Sequence, residues 1–292
     1  MLSDKIKYQI RRVRLKVSTL VGSSVVGNRR LPNQGTGFEF DQLREYQFGD
    51  DVRFIDWKSS ARAGRTLTKQ FFEDRNQKVV VALDISRSSF VGSNKQIKIE
   101  FMAELAAIFT LVAQGGRDEV GLVLFSDKIE LYSIPAIGNG HVQKILEQIF
   151  TCDKLSDAIR RPTNLKAVLA KMGQVLNKKN LILLISDFID QNDFSQELQA
   201  LGRRHDVVAV RWLDQFEHAF PVVGLLQVQD PETGQLAMLD LRKTDLRQHL
   251  KQRVQSQNKQ FISCGVGLLD IRNPDHVVGE IISFFQKRQI AR

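Results

Sequence analysis

The hydrophobic positions of this chain change period along its length, and the period predicts the elements. Near the start, Ile6, Ile10, Val13, Val17 and Leu20 recur at spacings of four and three, which puts them on one face of a helix. Ser3 suits its N-cap and Gly22 its end. The opposite face is basic. From 38 to 74 the pattern is irregular. "GFEFDQLREY" and "RTLTKQFFED" each hold a short strand, and the charge-dense "QFGDDVRFIDWKSSARAG" between them reads as loops and turns. Trp57 is expected there as a core anchor. Asp50, Asp51, Asp56, Arg53 and Arg62 are expected as an ion-pair network that pins the segment.

After Asn76 the pattern becomes regular. "VVVALD" is a buried β-branched run. Residues 95–113 form a helix with Phe101, Leu105, Ile108 and Val112 on one face, stopped by Gly115-Gly116. "EVGLVLFSD" and "IELYSIP" make a hairpin. Further helices are predicted over 142–150, 165–176, 194–203, 245–257 and 275–287. "NLILLISDF", "DVVAVRWL" and "FISCGVGLLDI" supply strands, and a second hairpin lies near 222–242 around "DPETG". Strands alternating with helices imply a mostly parallel open sheet of Rossmann type, flanked by helices on both faces. Continuous apolar strands agree, since half-exposed strands would alternate. The expected division is 1–76, a basic helix with an irregular β extension, and 77–292, the α/β domain.

Composition narrows the function classes. The chain has 292 residues and a net charge of +9. Eight basic residues against Asp4 alone lie between Met1 and Gln34, so an acidic partner is favoured: a lipid surface, a nucleic acid or an acidic protein face. Two cysteines, Cys152 and Cys264, give neither a disulfide framework nor metal-ligand spacing. No apolar run approaches the roughly 20 residues that span a bilayer, and the start does not resemble a secretory leader. A cytoplasmic protein is expected, with peripheral contact at the inner membrane face through the basic helix as the alternative. There is no Walker-type phosphate loop, no Gly-x-Ser-x-Gly elbow, and no spacing of the five histidines that would bind metal.

Candidate chemistry gathers at strand ends. In open sheets of this class ligands bind beyond the carboxyl ends of the strands, where strand order reverses. Asp84 ends one buried strand and Asp187 another. Two carboxylates in one crevice repel unless a cation joins them. Oxygen ligands suit Mg²⁺, or Mn²⁺, better than zinc. Ser86 and Ser88 follow Asp84 at alternate positions, and the Pro-Thr-Asn loop supplies Thr163, although Thr110 and Thr151 are also near in sequence. A capping turn would use Asp84 and the serines equally well. Asp190 reads as a helix-start residue ahead of Phe194.

"DISRS", the Thr163 loop and Asp187 resemble the metal-ion-dependent adhesion site of von Willebrand factor A-type domains. The resemblance implies that Asp84, Ser86, Ser88, Thr163 and Asp187 hold one Mg²⁺, with a last coordination place for a partner's carboxylate. The stretch "REYQFGDDVRFIDWKSSARAGRTLTKQFFED" is similar to the signature of the bacterial family called domain of unknown function 58. That family joins such a segment to a von Willebrand A-like domain, and its genes commonly neighbour those of MoxR-type AAA+ ATPases. Many of its members carry transmembrane segments ahead of this region.

The expected function is therefore a metal-ion-dependent protein-interaction, or adaptor, module working with a MoxR-type ATPase. A metal-dependent hydrolase using the Asp84/Asp187 pair is the enzymatic alternative. A basic surface binder of lipid or nucleic acid is the third reading. No catalytic motif is found, and the N-terminal helix lacks the aromatics that stack on single-stranded bases.

Overall fold

The computed structural model describes residues 4–22, 38–73, 77–90, 98–152, 161–190, 192–213, 225–229, 236–240, 244–271 and 277–290. Two compact units result: Arg29–Asn76, and Met1–Asn28 with Gln77–Arg292.

The larger unit is built on a six-stranded sheet. Its strands are β3 (Lys78–Asp84), β4 (Glu119–Phe125), β5 (Ile129–Ala136), β6 (Leu181–Ser186), β7 (Asp206–Trp212) and β10 (Gly267–Ile271). The order across the sheet is β10-β7-β6-β3-β4-β5. All pairs are parallel except β4 with β5, which form the expected hairpin at one edge. Gly121 lets that hairpin close, because a Cβ there would meet the Ser133 carbonyl at 2.9 Å. The inner strands are buried on both faces, which is why they read as unbroken apolar runs.

Helices cover both faces. On one lie α1 (Asp4–Gly22), α3 (Lys98–Gly115), α4 (Asn139–Phe150) and α8 (Val277–Ile290). On the other lie α5 (Leu165–Val175), α6 (Ser195–Arg204) and α7 (Thr244–Ser263). The sequence assigns α1 to the N-terminal segment, but the structure groups it with the larger unit. Its stripe of Ile6, Ile10, Val13 and Val17 is buried in the same apolar cluster as α3. Lys16 and Arg12 on its polar side pair with Glu104 of α3. Tyr8 and Leu15, seven positions apart on α1, remain exposed. Ser3 falls outside the described residues, as does the side chain of Leu20.

One further correction concerns a helix end. The predicted strand "FISCGVGLLDI" is a strand only from Gly267. Phe261 belongs to α7, fully buried in helical conformation, because its apolar position also satisfies the helical period. The second hairpin forms as β8 (Leu225–Gln229) and β9 (Leu236–Asp240).

The smaller unit pairs β1 (Phe38–Glu45) with β2 (Leu67–Glu73) antiparallel. Between them lies not only loop but a short 3₁₀ turn, Val52–Phe54, and α2 (Trp57–Ala63). Asp56 caps α2 by accepting from the Lys58 and Ser59 amides, and Gly64 ends it at φ 66°, a conformation glycine tolerates without cost. Asp50 pairs with Arg44 and Asp51 with Arg53. Trp57, at the first turn of α2, is no core anchor: it is 69% exposed.

Candidate functional site

β3 is the strand at which chain order reverses: β4 is laid on one side of it, β6 and β7 on the other. Leu83 pairs with Ile185, so the next residues on each strand, Asp84 and Ser186, emerge side by side at the carboxyl edge. Ser186 Oγ donates to Asp84 Oδ2 at 2.6 Å. The other oxygen, Oδ1, accepts from the Ser86 amide at 2.9 Å, which turns the chain into a 3₁₀ turn at Arg87–Phe90. Ser86 Oγ and Ser88 Oγ lie 3.2 Å apart, and Thr163 Oγ1 donates to Ser86 Oγ at 2.7 Å. The five side chains Asp84, Ser86, Ser88, Thr163 and Asp187 are all buried. Thr110 is not among them; it bonds back to the Ala106 carbonyl within α3.

Backbone bonds fix the loops that carry these groups. The Arg87 amide donates to the Arg161 carbonyl, which straps the serine turn to the Thr163 loop. Asn164 caps α5 through the Ala167 amide. Asp190 also serves α5: its Oδ2 accepts from the Leu165 amide at 2.6 Å. It thus holds the Thr163 loop against the β6 exit, instead of starting α6 as the sequence suggests. The start of α6 is served by Asp193, which accepts from the Ser195 amide.

Beyond Asp187 the backbone is strained. Phe188 sits at φ 54°, a region that costs a bulky residue of order 1–3 kcal/mol. Three contacts hold it there. Its amide donates to Ser186 Oγ, its carbonyl accepts from Gln257 Nε2 at 2.9 Å, and its ring packs edge-on to Phe261. Gln257 in turn accepts from Arg211, whose fully buried guanidinium makes a two-pronged pair with Asp270 at 2.8 and 2.9 Å. Asn258 accepts the remaining bond. This chain of polar contacts ties α7, β7 and β10 to the residue after Asp187. Next to it a groove of about 460 Å³ opens between Phe188–Phe194 and the Arg253–Gln260 face of α7.

Electrostatics sharpen the picture. Burial first, and the neighbouring Asp187 charge second, push the Asp84 carboxyl up from 3.8 to about 7; the hydrogen bonds from Ser186 and Ser86 offset part of this. Asp187 has a further partner that the sequence reading missed: Lys98, at the start of α3 and itself buried, donates to Asp187 Oδ2 at 3.3 Å. The other Asp187 oxygen accepts from the Ile189 amide.

The donor set is two carboxylates and three hydroxyls, all hard oxygen, which fits an Mg²⁺-sized cation. A cation would also relieve the repulsion that raises Asp84. Ser89 Oγ, on the same 3₁₀ turn, is buried without a hydrogen-bond partner, so the turn retains unused oxygen capacity. Among the described residues no three His, Cys, Asp or Glu side chains gather into a metal-binding group; here hydroxyls would have to complete the shell. Among the same residues, no helix is long and apolar enough to cross a membrane.

Comparison with known proteins adds the following. A family model described as "Protein of unknown function DUF58" matches residues 42–260. The uncharacterized protein Rv1480 of Mycobacterium tuberculosis is 25% identical over 289 residues, spanning 98% of this chain and 90% of its own length. The uncharacterized protein MAV169 of Mycobacterium avium is 24% identical over 161 residues, 53% of this chain and 94% of its own. Among solved structures, an aerotolerance-related membrane protein from Bacteroides fragilis aligns with 72% of this chain and 99% of its own, at 15% identity and a TM-score of 0.47. The conserved hypothetical protein BatB from Bacteroides thetaiotaomicron aligns over the same shares at 14% identity and a TM-score of 0.44.

Proposed function

We propose a function from the premise that this chain belongs to the family of proteins of unknown function DUF58: it is a metal-ion-dependent protein-interaction module. Asp84, Ser86, Ser88, Thr163 and Asp187 would hold one Mg²⁺ at the carboxyl edge of β3 and β6. The bound ion would supply a Lewis-acidic point to which an acidic side chain of a partner attaches. The finer reading of the fold as von Willebrand A-like rests on the same residues and on the strand order around β3. A MoxR-type AAA+ ATPase is the partner implied by the resemblance of the signature segment.

The observation that carries the reading is the convergence of five buried oxygen-bearing side chains at the point where strand order reverses, with one carboxyl raised to about 7. Burying two carboxylates is unfavourable unless something compensates them, and a divalent cation is the economical compensation. A carboxyl near 7 also favours a second reading, metal-dependent hydrolysis, because it could exchange a proton at neutral pH. However, Asp84 is fully buried and its two oxygens accept from the Ser86 amide and Ser186 Oγ, an arrangement that suits a fixed ligand better than a proton shuttle. The adaptor reading stands first.

Calorimetric titration with Mg²⁺ tests it. The wild type should bind one ion, and Asp84→Ala should lose that binding. Equal binding by both, or none by the wild type, sinks the reading.

A further inference from the structure

Lys98 is the unexpected member of this site. Its side chain is 9% exposed and its ammonium lies 3.3 Å from Asp187 Oδ2, on a carboxylate that is itself fully buried. An ammonium is expensive to bury unless it is paired, and α3 brings this one to the carboxylate that a cation would need. We propose that Lys98 is a tethered competitor of the divalent cation, so that the ion binds weakly alone and more tightly when a partner's carboxylate arrives with it. The proposal rests on the metal-dependent reading above and deepens it.

The argument is one of charge. With Asp84 and Asp187 ionised, as they are around a bound cation, the site carries two negative charges and Lys98 one positive. The sum is −1. A divalent cation alone takes it to +1, leaving excess positive charge in a dry pocket. One carboxylate from a partner returns it to zero. Two like charges a few ångströms apart in a partly buried site repel by kilocalories. The ion must therefore either work against Lys98 or drive its ammonium off Asp187. The lysine stem is flexible enough to swing away, though leaving Asp187 removes a compensating partner from it. An added partner carboxylate favours the ion and weakens this opposition, so ion and partner bind with positive coupling. Without metal, Lys98 keeps Asp187 compensated, and the fold does not depend on the ion.

The test compares wild type, Lys98→Met, Lys98→Gln and Lys98→Arg by Mg²⁺ calorimetry, with thermal melts in chelator and in excess Mg²⁺. Methionine keeps the stem length without the charge; glutamine is a second neutral variant should methionine impair folding. The neutral variants should bind Mg²⁺ about tenfold or more tightly than wild type, and Lys98→Arg should not. In chelator the neutral variants should melt below wild type, and Mg²⁺ should close that gap, which a purely structural lysine would not produce. Wild type that binds Mg²⁺ alongside neutral variants that bind it equally or more weakly overturns the role of Lys98 while leaving the metal site standing. No Mg²⁺ binding by any of the four removes the metal-dependent reading itself, and the competitor with it.

Discussion

Replacing Asp84 by asparagine should change how the metal-free protein responds to pH. Burial and the Asp187 charge push the Asp84 carboxyl of the folded protein up from its ordinary 3.8 to about 7. Its folded pKa is raised, so the folded protein holds this proton more tightly than the unfolded chain. The contribution of Asp84 to stability is therefore full below about 4, declines as pH rises from about 4 to about 7, and is constant above that. The gap between the two values, at about 1.4 kcal/mol per pH unit, sets a ceiling of roughly 4 kcal/mol on the loss. Asparagine can still accept from the Ser86 amide, and its amide can donate to Ser186 Oγ, so the turn is kept while the charge is removed. The assay is urea unfolding of wild type and Asp84→Asn in chelator from pH 5 to pH 8. The difference between the two cancels the titrating groups that do not interact with Asp84. Wild type should lose stability relative to the variant as pH rises, by up to a few kcal/mol, and saturating Mg²⁺ at pH 8 should restore it. A wild-type-minus-variant difference that stays flat across this range refutes the reasoning, because the carboxyl would then be no more strained folded than unfolded.

Two other changes probe the frame around the site. Asp270→Ala strands the fully buried Arg211 guanidinium and should cost about 3–5 kcal/mol in urea unfolding; a loss below about 1 kcal/mol would mean that water reaches the network. Ile10→Ala opens a void beneath α1, where Ile10 is 6% exposed, and should cost about 2–4 kcal/mol while making α1 the first segment cut in limited proteolysis. Unchanged cutting at α1 would show that the helix is held by something other than its apolar stripe.

The legible part of this molecule is the part governed by burial. Strands covered on both faces must be apolar throughout, so β3, β4, β6 and β7 stood out, and with them the polar residues that end them. Asp84, Ser86, Ser88 and Asp187 could be named because they follow apolar strands, and Thr163 because the resemblance to the adhesion site calls for a loop threonine. Lys98 and Arg211 follow the opposite logic. Each is a cation placed inside an apolar element and compensated by a residue far along the chain, 89 positions away for Lys98 and 59 for Arg211. Periodicity carries no sign of such a partner, although an arginine within the β-branched run "DVVAVRWL" was a signal that a buried counter-charge was needed. The helix α2 was readable from Asp56 and Gly64, which are ordinary start and stop residues; the density of charge around them hid it. Trp57 was misjudged because size predicts burial only on average.

The position of β3 also bears on how the chain comes off the ribosome. Asp84 meets Ser186 across 102 positions of sequence. At ordinary translation speeds of about 5–20 residues per second, roughly 5–20 s separate the synthesis of the two. Throughout that interval the β6-facing margin of β3 offers unsatisfied amides and carbonyls on a highly apolar strand, the kind of margin that recruits other chains. The early hairpin of β4 and β5 can shield only the far side. A nascent molecule stalled before Leu181 is thus both ion-blind and adhesive, and it needs guarding until the later half arrives.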